Sequence, residues 1–261
     1  MRRFVTALGL PAILIAGLIA GAYWFRPHTG LAKIGSKRLL YLTMSAGFKH
    51  DVIPFSREIV KQIGEKSGAF ETDFADDVTP FTAENLRNYD AVMFYTTGEL
   101  PFTDVQKQIL MEYLAAGHGF VGVHSATDTC YNWGAYGQML GGYFDGHPWH
   151  QMVTVDVSDP DDKITKFLGK SFQLNDEIYQ IDDFEAPSTR VLLHLDPMSV
   201  DRTKPGAHTR YYNWPLAWTR RWGKGRVFYN ALGHEKAVWE SDWFQQLMLN
   251  GIEWSMGDFK E

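Results

Sequence analysis

Five of the nine histidines lie in polar segments where an imidazole could take part in chemistry: His50, His124, His147, His150 and His234. Imidazole titrates near neutral pH and is the commonest protein ligand of borderline metals such as zinc. The chain contains no H-E-x-x-H motif, and His147 and His150 lie in a stretch interrupted by glycine and proline. The histidines therefore predict either acid–base chemistry or a divalent metal such as Zn, and their spacing does not decide between the two.

The turn at residues 122–126, with the sequence GVHSA, is similar to a nucleophile elbow, in which one residue occupies a sharp turn from a strand into a helix. His124 holds the apex of this turn, and Ser125 follows it. We predict His124 as a catalytic acid, base or metal ligand, with Ser125 as an alternative nucleophile. Cys130 lies beyond the turn, where a small packed apolar side chain is the favoured interpretation.

Carboxylates and aromatic side chains complete the candidate set. We predict Glu177 as a base or orienting partner of the catalytic groups His124 and His234. Asp176 precedes Glu177, and the alternation of a strand would turn one carboxylate inward and the other towards solvent. Substrate contacts are predicted at His50, His147, Asp128 and Trp218. The indole of Trp218 offers a face on which a sugar can stack, with packing in the core as the alternative.

The elements that must position these residues alternate between strands and helices. Apolar runs predict strands at residues 38–43, 70–74, 91–95 and 119–124, and helical spacing predicts helices at 53–66 and 104–116. Thr103 and Gln106 form a capping box for the second helix. This order is typical of a parallel α/β sheet, whose sites lie at the carboxyl ends of the strands. Three of the histidine segments directly follow strands, so we expect them to converge on one edge.

The C-terminal half predicts further strands and a final helix. Short strands are expected at 151–157, 177–181, 190–195, 216–221 and 226–230, with a hairpin turn at 222–226 and a helix at 241–254. The predicted fold class is therefore α/β, a mostly parallel sheet flanked by helices, with additional short strands in the C-terminal half.

The composition excludes several classes of protein. The chain has 261 residues, 45% of them hydrophobic, and a net charge of −6, which is too apolar a composition for a disordered chain. An acidic chain without a basic cluster is not expected to bind nucleic acid. The single cysteine excludes a disulfide scaffold and a cysteine-based zinc site. The aromatic content of 15% fits a thick core, a sugar-binding surface or both.

Residues 1–27 are predicted to be a membrane anchor or a signal segment. Arg2 and Arg3 precede an uncharged run over residues 4–25. As a helix this run would reach about 33 Å, enough to cross the hydrocarbon core of a bilayer. Small residues ending at Ala22 would instead allow cleavage. We expect a protein of the cell envelope, tethered by one N-terminal helix with its domain exported, or secreted if it is cleaved after Ala22.

Seven motifs resemble, in order, those of the ThuA-like (trehalose utilisation) family over about residues 38–256. They are GFKH (47–50), GEL (98–100), GFVGVHS (119–125), GGYFDGHP (141–148), DEIY (176–179), PLAW (215–218) and GRVFY followed by LGH (225–234). The resemblance implies the class I glutamine amidotransferase-like, flavodoxin-like fold. We predict a linker at residues 28–37 and one ThuA-like domain at 38–257.

The resemblance also implies a role in the catabolism of a disaccharide or a keto-sugar. The family's polar positions match His50, His124, His147, Glu177 and His234. The elbow of the amidotransferases carries a cysteine where this chain has a histidine, so a cysteine-dependent glutamine amidotransferase is not expected. The leading hypothesis is a carbohydrate-processing enzyme that uses histidine and glutamate side chains. A non-catalytic carbohydrate-binding protein and a metal-dependent amide or ester hydrolase are the alternatives, and the oligomeric state is left open.

Overall fold

The computed structural model of the chain describes residues 36–208 and 214–259. The segment predicted as an anchor or signal, residues 1–27, lies outside the described residues. Within the described part of the chain, no helix combines the length and the apolar character needed to cross a membrane.

The described residues form strands and helices in alternation along the first half of the chain and mainly strands after it. The strands are β1 (Lys37–Leu42), β2 (Phe70–Ala75), β3 (Ala91–Phe94), β4 (Gly119–Val123), β5 (Tyr143–Phe144), β6 (Trp149–Val157), β7 (Ser171–Ile178), β8 (Ile181–Asp182), β9 (Thr189–Leu195), β10 (Pro215–Trp222) and β11 (Gly225–Asn230). The α-helices are α1 (Ile53–Ser67), α2 (Ala83–Leu86), α3 (Asp104–Ala115), α4 (Gly134–Leu140), α5 (Lys236–Glu240) and α6 (Asp242–Ser255).

A nine-stranded sheet with the order β2-β1-β3-β4-β11-β10-β9-β6-β7 forms the centre of the molecule. The first five strands in this order are parallel to one another. The remaining pairings are antiparallel, so that β10 and β6 run against the other seven strands. The sheet is therefore mostly parallel in direction and flanked by helices, as the sequence predicts. The carboxyl ends of β1, β4, β11 and β7 all point to the same edge.

Several local predictions are confirmed and one strand is corrected. The capping box of α3 is present, and the hairpin between β10 and β11 turns at Gly223, which has a φ of +58°. The strand predicted at residues 177–181 was misplaced. It runs over Ser171–Ile178 because its polar first half pairs with β6 throughout. The short elements α2, α4, β5 and β8 have too few residues for a periodic pattern to reveal them.

One end of the β6–β7 hairpin extends past β9, the strand that joins it to the rest of the sheet. β6 pairs with β9 only over its last residues, Val155–Val157, but with β7 from Trp149 to Asp156. In a flat sheet the five steps from β4 to β7 would span about 24 Å. Glu177 of β7 nevertheless lies 3.5 Å from His124, which follows β4. The sheet therefore coils until the end of β7 meets the ends of the central strands.

Candidate active site

His124 occupies the apex of the elbow that follows β4. Its φ of +46° lies in the left-handed region, which a non-glycine residue rarely adopts. The hydroxyl of Tyr229 donates a hydrogen bond to the carbonyl of His124 at 2.7 Å and accepts one from Thr127 at 2.8 Å. A Cβ at Gly122 would lie 2.9 Å from the ring of Tyr229, so the elbow needs a glycine there. These contacts hold the strained turn and fix the fully buried imidazole.

A backbone carbonyl shows which ring nitrogen of His124 carries a hydrogen. Nδ1 of His124 lies 2.7 Å from the carbonyl oxygen of Ala231. Because a carbonyl can only accept, Nδ1 carries a hydrogen and Nε2 of the neutral ring presents a lone pair to the site.

The buried carboxylate of Asp176, near the end of β7, positions the loop that carries His234. Oδ2 of Asp176 accepts a hydrogen bond from the amide of Gly233 at 2.7 Å, and Oδ1 accepts one from the amide of Glu235 at 3.0 Å. Burial raises the pKa of Asp176. The hydroxyl of Tyr95 donates to the carbonyl of Gly233 at 3.0 Å. The loop that follows β11 is thereby held from both sides, with His234 at its centre.

Both acids of the Asp176–Glu177 pair are buried, which corrects the expectation that one would face solvent. Asp176 is fully covered and Glu177 is 7% exposed. The side chains do alternate along β7, but the loop after β11 covers Asp176 while the histidines cover Glu177. Alternation in the sequence predicts that neighbouring side chains lie on opposite faces of the strand. It cannot show that other segments of the chain cover both faces.

His50 follows β1 and lies beneath the other imidazoles. Its ring centroid is 4.8 Å from that of His124 and 5.2 Å from that of His234, both edge to face. The side chain is buried, and its Nδ1 has no hydrogen-bond partner among the described residues. Burial lowers the pKa of His50 to about 3, with a further contribution from its histidine neighbours, so His50 is neutral at neutral pH.

Glu177 links the imidazoles. Its Oε2 lies 3.5 Å from Nε2 of His124 and 3.3 Å from Nδ1 of His234, while these two nitrogens are 3.3 Å apart. Burial alone would raise the pKa of Glu177, but the interactions with His124 and His234 outweigh it and hold that pKa below its usual range. The same interaction with Glu177 raises the pKa of His234, although burial opposes it. We call His50, His124, Glu177 and His234 the His/Glu cluster.

Two further histidines form a more exposed rim beside the His/Glu cluster. His147 is half-exposed, and its Nδ1 lies 3.1 Å from Oε1 of Glu177, the oxygen that does not face His124. His150 at the start of β6 is paired at 2.7 Å with Glu235. The ring of His150 is 5.2 Å from that of His234. Access to the cluster is therefore on the side of His147 and His234, since the other members are buried.

The remaining predicted site residues lie at different distances from the cluster. Asp128 is half-buried and accepts a hydrogen bond from the hydroxyl of Tyr131 at 2.7 Å. Burial raises the pKa of Asp128, although its hydrogen bond with Tyr131 opposes that shift. Ser125 is fully buried, and its hydroxyl has no hydrogen-bond partner among the described residues. The described residues therefore supply no base that would activate Ser125 as a nucleophile.

Trp218 and Cys130 are core residues in this structure. The indole of Trp218 is fully buried, donates to the carbonyl of Leu140 at 2.8 Å and packs against Tyr229. The structure therefore does not bring Trp218 to the cluster as a face for a sugar. Burial raises the pKa of Cys130 to about 11, so its thiol stays protonated at neutral pH.

The reasoning from sequence assigned no role to Tyr179 or Glu235. The ring of Tyr179 covers the imidazole of His124 at a centroid distance of 4.3 Å and contacts Phe144 at 4.4 Å. Tyr179 ends the DEIY motif, and Glu235 directly follows the LGH motif. Their place in or next to these motifs was the signal that could have identified them. Their roles depend on contacts between distant segments.

The arrangement can move protons and can bind a cation. Three imidazoles and one carboxylate offer ligand atoms that all lie within 4.8 Å of one another. His150, His234 and Glu235 form a second such group on the exposed side, sharing His234. An imidazole next to a carboxylate is also a common general acid or base.

A family model described as ThuA, trehalose utilisation, matches residues 38–255 of the chain. None of the curated proteins matches it. A solved ThuA-like protein from Bacteroides uniformis is 22% identical with a TM-score of 0.71, over 87% of this chain and 94% of that chain.

Two other solved structures are similar in fold. A ThuA-like protein from Parabacteroides merdae is 21% identical with a TM-score of 0.67, over 85% of this chain and 91% of that one. A cytoplasmic protein from Salmonella typhimurium LT2 is 15% identical with a TM-score of 0.59, over 84% of this chain and 99% of that one. At these identities the likeness concerns the fold.

Proposed function

This chain belongs to the ThuA (trehalose utilisation) family, and from that premise we propose that it is an enzyme acting on a carbohydrate through the His/Glu cluster. The family description supports a carbohydrate-related role. The substrate class we propose is a disaccharide or a keto-sugar derived from one.

One observation carries the catalytic part of this proposal. Four side chains from four separate segments converge on one small volume at the carboxyl edge of the sheet. His124 is held there in a strained backbone conformation, and such strain is often found where geometry serves function. A protein that only bound a sugar would have no need to bury three imidazoles around a carboxylate, since aromatic stacking and a few polar contacts suffice for binding.

The cluster suits proton transfer at a sugar. The raised pKa of His234 keeps a proton available on that imidazole, and the lowered pKa of Glu177 keeps the carboxylate charged. Nε2 of His124, the ring nitrogen that does not face Ala231, lies beside both. A sugar hydroxyl, or the carbon next to a keto group, can exchange a proton with groups of this kind.

The rim supplies aromatic rings against which a sugar can stack. His147 and Phe144 have parallel rings 5.6 Å apart, and Phe144 contacts Tyr179, whose ring covers His124. Aromatic faces next to polar groups are suited to the apolar and polar sides of a sugar ring. In this proposal His147 and Asp128 contact the substrate, and His124, His234 and Glu177 act on it.

A substrate screen with a fold-preserving variant tests the proposal. The full chain is incubated with trehalose, other disaccharides and their 3-keto derivatives, and products are followed by mass spectrometry. We expect turnover of at least one carbohydrate, and a loss of about 100- to 10,000-fold in His124→Asn. Asparagine is chosen because it tolerates the positive φ at this position better than most residues.

His118→Asn is the matched control. His118 stacks on Tyr113 and its Nδ1 lies 2.9 Å from that residue's carbonyl, in contacts separate from the cluster. It should leave turnover unchanged. No product from any carbohydrate, together with saturable binding followed by tryptophan fluorescence, would replace the enzyme with a carbohydrate-binding protein. Turnover that survives in His124→Asn would remove the cluster from the reaction.

We also propose that the domain is exported and tethered by residues 1–27, on the strength of the uncharged run alone. The full chain should remain in the membrane pellet after carbonate extraction. A variant with Ile15→Lys and Leu18→Lys, which interrupts the run with charge, should move to the supernatant. Release of the unaltered chain with a new N-terminus after Ala22 would mean a cleaved signal, and release with Met1 intact would exclude both anchor and signal.

A further inference from the structure

We propose that the His/Glu cluster binds one divalent first-row transition-metal ion of the zinc class. Nε2 of His124, Nδ1 of His234 and Oε2 of Glu177 would form one triangular face of the site, with His50 as the fourth ligand. The binding of the ion stands on the geometry alone, while its use in catalysis rests on the proposed function.

The separations between the three facing atoms fit metal ligation better than hydrogen bonding. They are 3.3, 3.3 and 3.5 Å. Nitrogen and oxygen ligands about 2.05 Å from a tetrahedral zinc ion lie about 3.3 Å from one another. Hydrogen bonds of N–H to oxygen centre on about 2.9 Å. The observed triangle therefore has the edge length of a coordination face and is loose for a set of hydrogen bonds.

The contact of His124 with the backbone decides which of its nitrogens faces the site. Nδ1 of His124 donates to the carbonyl of Ala231, so Nε2 is the nitrogen directed at Nδ1 of His234 and Oε2 of Glu177. A divalent ion accepts electron pairs from these three atoms at once.

His50 supplies an independent observation. It is only 4% exposed, and its Nδ1 has no hydrogen-bond partner in the part of the chain that the structure describes. A buried polar atom without a partner calls for an explanation such as an ion or a water molecule. His50 offers a ligand atom within 4.8 Å of those of the other three side chains.

The groups around the triangle resemble the outer shell of known metal sites. Histidine ligands usually donate their second ring N–H to a carbonyl or carboxylate, as His124 does to Ala231. The second oxygen of Glu177 contacts His147 at 3.1 Å, which would orient the ligating carboxylate. Asp176 fixes the loop of His234 through two amide hydrogen bonds. Each of the three facing ligands thus has its own support.

The donor set also defines the class of ion. Three imidazoles and one carboxylate suit zinc, cobalt, nickel, iron or copper, while magnesium and calcium prefer oxygen ligands throughout. Bound in the His/Glu cluster, next to the rim, such an ion would polarise a hydroxyl or keto oxygen of the sugar as a Lewis acid. His147 would then be the free imidazole nearest to the reacting group.

The test measures metal binding without reference to activity. The full chain, purified without a polyhistidine tag, is stripped with a chelator, reloaded with Zn²⁺ or Co²⁺ and dialysed. We expect about one equivalent of metal per chain by elemental mass spectrometry, and visible absorption bands of four- or five-coordinate Co²⁺. Glu177→Gln and His124→Asn should bind Zn²⁺ at least about 100-fold more weakly, and His118→Asn should bind it as the unaltered chain does.

Each outcome bears on one proposal. Zinc content equal in Glu177→Gln, His124→Asn and the unaltered chain would overturn the metal site, provided that thermal unfolding shows all three folded. Carbohydrate turnover by a metal-free chain that is insensitive to chelators would overturn the use of the ion in catalysis and leave the proposed acid–base enzyme standing. Metal bound with the expected variant pattern, but no carbohydrate turned over, would support the metal site and remove the proposed function.

Discussion

The two halves of the sheet make different contributions to the same site. The parallel half supplies imidazoles, with His50 after β1, His124 after β4 and His234 after β11. The antiparallel half supplies the carboxylate Glu177 at the end of β7 and the exposed rim around His147. The imidazoles therefore come from the central strands, and the carboxylate comes from the β6–β7 hairpin. The difference shows that parallel strand ends are not sufficient to build this site.

The two halves are also held differently. The strands β3 and β4 are buried along their whole length, so their ends are fixed by packing on both faces. The end of β7 is tied to the parallel half by two buried carboxylates. Asp176 accepts hydrogen bonds from two amides of the loop after β11, and Glu177 contacts His124 and His234. Substitutions in the two halves should therefore differ in how they affect activity and stability.

The largest expected effect comes from the charge that the antiparallel half provides. Glu177→Gln keeps the shape and removes the charge, and we expect kcat/KM on the carbohydrate substrate to fall about 100- to 10,000-fold while the fold is retained. Steady-state kinetics and thermal unfolding measure the two quantities. Glu71→Gln on the exposed face of β2 is the matched control and should change neither. An active Glu177→Gln would mean that the imidazoles of the parallel half suffice.

The tie between the halves should show in stability. Asp176→Ala leaves two buried amides without acceptors, so we expect the free energy of unfolding to fall by about 3 kcal/mol in urea titrations. Asp77→Ala also removes an acceptor of a backbone amide, that of Thr79 at 2.8 Å, but at an exposed site. The loss there should be far smaller. Equal losses in the two variants would show that Asp176 does not join the halves.

Packing at the elbow tests the parallel half. A Cβ at Gly122 would lie 2.9 Å from Tyr229 and 3.0 Å from Leu140, whereas one at Gly134 would meet nothing within 4 Å. Gly122→Ala should lower the free energy of unfolding by about 1–3 kcal/mol through overpacking. Gly134→Ala at the start of α4 should leave it unchanged or raise it slightly. Chemical denaturation of both variants makes the comparison, and a harmless Gly122→Ala would mean that the elbow has room to relax.

The smallest effect is expected at the rim. His147 is half-exposed and contacts Glu177 only from Nδ1 to Oε1 at 3.1 Å, so His147→Asn should lower kcat/KM about tenfold. Zinc affinity should fall by about tenfold at most, because His147 orients Glu177 without being a ligand. A loss of activity as deep as that of His124→Asn would instead place His147 in the chemical step.

Reasoning from the sequence recovered the parallel half; in the antiparallel half it placed β9 and β10 within a residue of their bounds but misplaced β7. β1, β3, β4, α1 and α3 are apolar runs or capped helices whose pattern is local, and they appear within a residue or so of their predicted bounds. The convergence of His50, His124 and His234 follows from strand direction alone. Motif similarity pointed to Glu177, but nothing local indicates that the end of β7 meets the residue that follows β4.

The errors have a common physical origin. Trp218 lies on β10 with an aromatic side chain that suits a core or a sugar equally, and only its neighbours Leu140 and Tyr229 show that it is buried. Asp176 reads as an ordinary strand acid until the loop of Gly233 is folded against it. In each case the deciding contact joins segments far apart in sequence, and periodicity carries no information about such contacts.

The place of β11 between β4 and β10 has a consequence for how the protein is made. β4 ends at Val123, and the strand that covers its free side begins at Gly225, about a hundred residues later. At typical rates of synthesis that interval lasts about 5–20 s. During this time β4, with its apolar residues Phe120 and Val121, lacks its neighbouring strand β11 in the nascent chain. An uncovered apolar edge is prone to wrong pairing. Chaperone capture during this window, measured by crosslinking of stalled nascent chains, should therefore end once residue 230 has left the ribosome.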